Sequence, residues 1–182
     1  MIAAAAPALA HRGEAQRELR LQIQGSTAEG LLRYTLPAGI AAKRLLAAPP
    51  GLVPGERAQD PLEQTLGKRA AAEALRGLRF SIGADQGSLR PAAITLIEAK
   101  GRQTATGGLE ALLLVRLEAA ILAPSVLEIA TGGGGPRIRA ALGAVAPLRT
   151  SLISGVGKAR PGGLTLRPRP GMPCRVQITS GD

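Results

Sequence analysis

The sequence predicts a mainly β protein, an Ig-like antiparallel β-sandwich with one inserted α-helix at about residues 60–76. Three observations carry this prediction. Short stretches with an apolar residue at every second position recur along the chain, the pattern of half-buried strands. Turn-forming clusters separate them, drawn from 24 Gly and 14 Pro in 182 residues. One segment alone has a four-residue apolar repeat with both end signals of a helix. The core must be aliphatic, because 45% of residues are hydrophobic but the chain has one Phe, one Tyr and no Trp.

Residues 2–10 carry no charge and end in Ala8-Leu9-Ala10, a small-x-small triplet of the kind signal peptidase accepts. They read as the end of a truncated export signal at residues 1–10, lacking its basic start. A single β-rich domain over residues 11–182 follows, with a periplasmic or secreted location expected and a cytoplasmic one as the alternative. No later stretch approaches the roughly 20 apolar residues that cross a bilayer as a helix.

Leu19, Leu21 and Ile23 share one face of a first strand, and Leu32, Tyr34 and Leu36 share one face of a second, stopped by Pro37. The polar cluster Gly25 to Gly30 between them predicts a hairpin with a longer loop. Ile40 to Ala48 predicts a short helical turn before the Pro49-Pro50-Gly51 break. Asp60 then opens the helix as a cap, with Pro61 at the first helical position and Glu63 at capping-box spacing. Leu62, Leu66, Ala70 and Ala74 form its stripe, Arg76 falls in its last turn, and Gly77 ends it. Start and stop signals that agree on one segment mark a sequence whose local and global preferences are consistent.

The remainder reads as strands. Leu78, Phe80 and Ile82 alternate before the turn Gly83 to Gly87, and Ala92 to Glu98 follows. Leu109 to Leu117 carries Ala111, Leu113, Val115 and Leu117 on one side and Leu112 and Leu114 on the other, which predicts a central strand covered on both faces. Val126 to Ala130 is a further strand, Gly132 to Gly135 a tight or pliant turn, and Ile138 to Ile153 is ambiguous. Leu164 and Leu166, then Val176 and Ile178, predict a terminal hairpin around Pro168 to Pro173.

Function is less legible. With one His and one Cys, a nucleophile–base pair would have to use His11, so a non-enzymatic role without a cofactor is expected. Cleavage after Ala10 would leave His11 as the mature N-terminus, where its amine and ring could chelate Cu(II) as a copper-binding protein. Copper sites of that kind add further imidazoles, which the sequence lacks. Met172 and Cys174 form no complete site. Ser154 to Lys158 fails the phosphate-loop spacing, because Leu152 stands at the first glycine position and Ala159 at the hydroxyl position.

The net charge of +10 is the remaining functional feature. Arg137, Arg139, Arg149, Lys158, Arg160, Arg167, Arg169 and Arg175 are candidate anion-binding residues in a stretch whose only acid is Asp182. Arg exceeds Lys, as GC-rich codon usage alone would produce. Tyr34 and Phe80 lie outside the basic stretch, so stacking on single strands is not indicated. The leading expectation is an exported binding or accessory module with a membrane or envelope protein as partner. The alternative is a binder of nucleic acid or an anionic surface.

The junction Ala8-Leu9-Ala10-His11, the hairpin Leu19-Arg20-Leu21-Gln22-Ile23 to Leu32-Arg33-Tyr34-Thr35-Leu36-Pro37, and the helix leading into Leu78-Arg79-Phe80-Ser81-Ile82-Gly83 together resemble bacterial extracytoplasmic β-sandwich domains. Some of those are ectodomains of hydrogenase/urease-accessory, nickel permease-like membrane proteins. The resemblance implies a β-sandwich outside the cytoplasm beside an envelope partner, although no membrane part follows in this chain. Pro170-Gly171-Met172-Pro173-Cys174-Arg175-Val176-Gln177-Ile178 is similar to a strand of membrane-fusion adaptors, whose coiled-coil hairpin is absent here.

Overall fold

Ala15, Arg17, Leu19, Leu21 and Ile23 are all buried, and the residues between them are not. That phase defines the first strand, and its inward face defines the core. The computed structural model describes residues 15–36, 61–98, 109–133 and 135–181. The expected export signal, His11, the helical turn at 40–48, the Asp60 cap and the loop at 101–108 lie outside the described residues.

The strands are β1 (Gln16–Gln24), β2 (Thr27–Leu36), β3 (Leu78–Ile82), β4 (Asp85–Gly87), β5 (Leu89–Glu98), β6 (Leu109–Leu117), β7 (Ser125–Thr131), β8 (Arg137–Ala144), β9 (Leu148–Ser154), β10 (Gly157–Arg160), β11 (Gly163–Leu166) and β12 (Cys174–Ser180). The helix α1 (Pro61–Leu75) lies between β2 and β3. A seven-stranded sheet has the order β10-β11-β8-β1-β2-β6-β5, and a five-stranded sheet the order β4-β3-β7-β12-β9. The described residues are therefore mainly β, a two-sheet sandwich with one helix. Among the described strand pairs only β1 with β8 is parallel, a departure from the fully antiparallel expectation. It arises because β8 enters from the opposite sheet, after β7, rather than through a hairpin.

Register makes the core. Ile94, Leu113, Leu32, Leu19, Ala140 and Leu166 are successive partners across six strands of the larger sheet. All but the partly buried Ile94 are buried. The smaller sheet answers with two rows. Phe80, Ile129 and Cys174 form one, and Ile82, Leu127 and Val176 the other. All six are buried in the same cluster. Each buried Leu, Ile or Phe contributes about 1.5–3 kcal/mol, so aliphatic rows replace the missing rings.

Helix α1 packs on β5, β2 and β6. Ala70, Ala71 and Ala74 are buried in the core cluster, with Leu66 against it. Small alanines let the helix lie close to the sheet. A Cβ at Gly67 would meet Ile94 Cγ2 at 3.6 Å, so the helix rides on an inner-face residue and extends the second layer. Gly77, at φ +67°, ends the helix as expected, and its carbonyl accepts a hydrogen bond from the Gly132 amide at 2.7 Å.

Several expectations need correction. The β1–β2 loop is two residues, Gly25-Ser26, because Gln24 already pairs with Thr27. Gly25 takes φ +57° at the first turn position, and the polar residues after it are strand, not loop. The segment Gly83 to Gly87 holds a two-residue turn and then the short strand β4. β6 is not covered on both faces: Leu113 is fully buried but Leu114 is 55% exposed. Leu164–Leu166 and Val176–Ile178 are not a hairpin, because β11 belongs to the larger sheet and β12 to the smaller. Pro168, Pro170 and Pro173 lie in the connection between them, and each lacks the N–H that ladder pairing requires. Arg76 lies just beyond the last helical turn, 3.2 Å from Glu73.

Candidate anion-binding cleft

The phase that buries Leu19 and Leu21 also places Arg17 on the inner face. β1 is flanked by β2 and β8, and Arg17 sits between Tyr34 and Ile138 in register. It is only 2% exposed. Its Nη1 donates to the carbonyls of Ala74 at 3.1 Å and Arg76 at 2.7 Å, and its Nη2 donates to the carbonyl of Pro136. The guanidinium thus ties β1 to the C-terminus of α1 and to the β7–β8 connection. Helix C-terminal carbonyls are left without intrahelical donors and carry partial negative charge, which a cation there satisfies. Burial lowers the Arg17 pKa to about 10, against the opposing attraction of Tyr34 and Glu73, so it stays charged at neutral pH.

The last glycine of the run beside it, Gly135, has a steric cause. A Cβ at Gly135 would fall 2.9 Å from the Arg76 carbonyl oxygen and 3.1 Å from Arg17 Nη2. Only a residue without a side chain lets the connection pass this close to the guanidinium.

Arg17 is also among the residues that line an open cleft of about 840 Å³ at this end of the sheet, with Arg137, Arg139, Arg167 and Arg169. The strands explain the convergence. Arg137 and Arg139 are two residues apart on β8 and so share a face, opposite Gln16 and Glu18 of β1. β11 runs antiparallel to β8 as far as the pair Leu166–Ala140. One step further come Arg167, just past the end of β11, and Arg139 on β8. Arg169 and Met172 then close a tight turn through reciprocal backbone hydrogen bonds of 3.1 and 2.9 Å. Pro170 and Gly171 hold its two central positions, with Gly171 at φ +72°, the type II pattern. A bridge from Pro170 to Thr131 fixes that turn to the end of β7.

All four of these arginines are exposed. Glu18 is the one carboxylate among the lining residues, and it lies 4.0 Å from Arg33, outside the arginine group. Among the described lining residues four exposed arginines stand against one carboxylate, which favours an anion there.

The eight basic residues singled out in the sequence therefore do not form one site. Arg137, Arg139, Arg167 and Arg169 meet at the cleft. Arg149 is on β9, the edge of the smaller sheet, and Lys158 and Arg160 are on β10, the edge of the larger. Arg175 on β12 lies 3.6 Å from Glu128. The sequence reading missed Arg17, although extending the alternation of Leu19, Leu21 and Ile23 by one step places it on the core face. Ser154 to Lys158 is the crossing from β9 to β10, with Gly155 at φ +98°. Among the described residues no group of three His, Cys, Asp or Glu is placed to hold a metal ion. No described helix is long and apolar enough to cross a membrane.

No protein family and no curated protein matches the chain. Among solved structures it is similar to an M1 zinc metallopeptidase from Deinococcus radiodurans, at 11% identity and TM-score 0.36, over 91% of this chain and 42% of that one. It is also similar to native yeast LTA4 hydrolase, at 8% identity and TM-score 0.35, over 92% of this chain and 29% of that one. The chain spans less than half the length of either. Likeness at these scores carries no argument about the cleft.

Proposed function

We propose that the chain is a non-enzymatic binding module that takes an anionic group of its partner in the basic cleft. The carrying observation is the meeting of Arg137, Arg139, Arg167 and Arg169, from a strand and a sheet-crossing connection, around one concave surface. A guanidinium offers a planar fork of donors that matches carboxylate and phosphate oxygens. Among the described lining residues Glu18 is the single carboxylate, set against four exposed arginines. The uncharged start of the sequence supports an exported, accessory role beside an envelope partner. Nucleic-acid binding by base stacking is disfavoured, since Tyr34 and Phe80 are both buried in the core.

The test compares two double charge reversals of equal net effect, by fluorescence anisotropy with a labelled polyglutamate peptide at low salt. Arg139→Glu/Arg167→Glu should weaken binding at least about tenfold, a loss of about 1.4 kcal/mol. Arg149→Glu/Arg160→Glu should change it by less than about threefold, as expected for screened surface charges. Equal losses in both variants would mean that overall charge, not the cleft, attracts the anion.

A further inference from the structure

We infer that a second copy of this chain docks on the outer face of the larger sheet, across β2, β6 and β5, with the two β6 strands antiparallel. These strands lie on the far side of β1 from β8 and β11, so the surface is independent of the basic cleft.

The sequence of β6 makes the face. Its outward residues are Glu110, Leu112, Leu114 and Arg116, which alternate with the buried Ala111, Leu113 and Val115. Register spreads the two leucines sideways. Leu114 lies between Leu31 and Ala93, and Leu112 between Arg33 and Thr95. Leu114 is 55% exposed, and Ile97, opposite Glu110, is 40% exposed. An antiparallel sheet packed on one face normally turns polar residues outward on the other. The smaller sheet does so, with Ser81, Glu128, Arg175 and Gln177 on its outer face. An exposed apolar strip rimmed by polar residues on the larger sheet marks a contact surface.

Charge identifies the occupant. The chain carries 23 basic and 13 acidic residues, so two copies repel over most approaches. On this face the charges pair one to one. Arg33 lies 2.7 Å from Glu110, Arg116 3.4 Å from Glu29, and Arg90 3.2 Å from Glu118. Repulsion between copies is therefore small here. The outward order along β6, Glu–Leu–Leu–Arg, is also its own complement. A second β6 laid antiparallel over the first sets Leu112 against Leu114 and Arg116 against Glu110, each contact made twice by symmetry. A parallel overlay would set Arg116 on Arg116 and Glu110 on Glu110. A carboxylate has two accepting oxygens, so Glu110 can take a second guanidinium while holding Arg33.

Area sets the strength. Three strands of nine or ten residues, at about 3.3 Å per residue and about 4.8 Å between strands, cover roughly 400 Å² per copy. Stable complexes bury about 800 Å² per partner. The dimer is therefore weak: the chain is monomeric at the low concentrations of a denaturation experiment and associates only when concentrated.

Sedimentation velocity of the full chain between about 5 and about 500 µM tests this. The wild type should pass from monomer to dimer across that range. Leu114→Glu should raise the dimer Kd at least about tenfold. Ser151→Glu adds the same charge to the outer face of β9, in register with Gln177, and should change the Kd less than about threefold. Arg116→Gln should also raise it, because both Arg–Glu contacts between copies are lost, whereas a parallel arrangement would tighten on losing the Arg116 repulsion. Circular dichroism confirms that each variant is folded. A chain that stays monomeric to about 500 µM, a dimer that Leu114→Glu leaves intact, or an Arg116→Gln variant that associates as well or better overturns the inference. None of these results bears on anion binding at the cleft.

Discussion

Arg17→Met destabilises the chain by about 2–4 kcal/mol, measured as the shift of the urea unfolding midpoint at constant slope. Two opposing effects set that figure. Removing the guanidinium recovers its desolvation cost. Burial lowers its pKa from the ordinary guanidinium value to about 10, a penalty of about 3 kcal/mol. The sign follows from linkage: the unfolded arginine holds its proton more tightly, so the penalty is present in full below about pH 10 and fades only as pH rises above it. Against that gain, methionine leaves the carbonyls of Ala74, Arg76 and Pro136 without their donor. Each buried orphan costs about 1–3 kcal/mol, and attraction to the helix C-terminus is lost as well. The orphaned carbonyls win. A loss below about 1 kcal/mol would mean that Arg17 does not hold β1, α1 and the glycine connection together.

Leu113→Ala and Leu114→Ala, adjacent on β6, should differ by about 3 kcal/mol in unfolding free energy. Leu113 is fully buried between Leu32 and Ile94 in register. Its truncation removes transfer energy and leaves a cavity, together about 2–5 kcal/mol. Leu114 is 55% exposed on the outer face, where truncation changes stability by about 0.5 kcal/mol or less. Chemical denaturation of both variants measures the difference. Equal losses would restore the doubly covered strand that the apolar run Leu112 to Val115 suggests when read alone.

That strand shows where sequence reading stops. Alternation identifies which residues share a face, and at Leu19, Leu32, Leu113 and Phe80 that face is the buried one. It does not say whether the opposite face is covered, because coverage depends on what packs there. The helix was legible for a related reason: Pro61 and Gly77 act through local backbone geometry, with no need of distant partners. Pairing partners were not legible. β11 and β12 both alternate and are joined through a proline-rich turn, yet they enter different sheets, since a strand's period is the same whichever neighbour it has. The β1–β8 pair joins residues more than 100 positions apart, and no local signal marks it.

The cleft divides the same way. The charge was plain in the sequence, but the subset of arginines that meet depends on β8 lying between β1 and β11 and on where the chain crosses between sheets. Arg149 and Arg160 are chemically the same as Arg139 and Arg167 and differ only in the edge they occupy. Arg17 was hidden because a charged residue one step outside an apolar alternation reads as the strand's solvated end. Its burial makes sense only once the helix C-terminus is placed above it.

Arginine Nε–Hε correlation spectra, recorded while pyrophosphate is added to the isotope-labelled chain, test the cleft most directly. The signals of Arg137, Arg139, Arg167 and Arg169 should move together and saturate at one equivalent, while those of Arg149, Arg160 and Arg175 stay in place. Small unsaturated shifts spread evenly over every exposed arginine, or none at all, would show that the four side chains share a surface without forming a site.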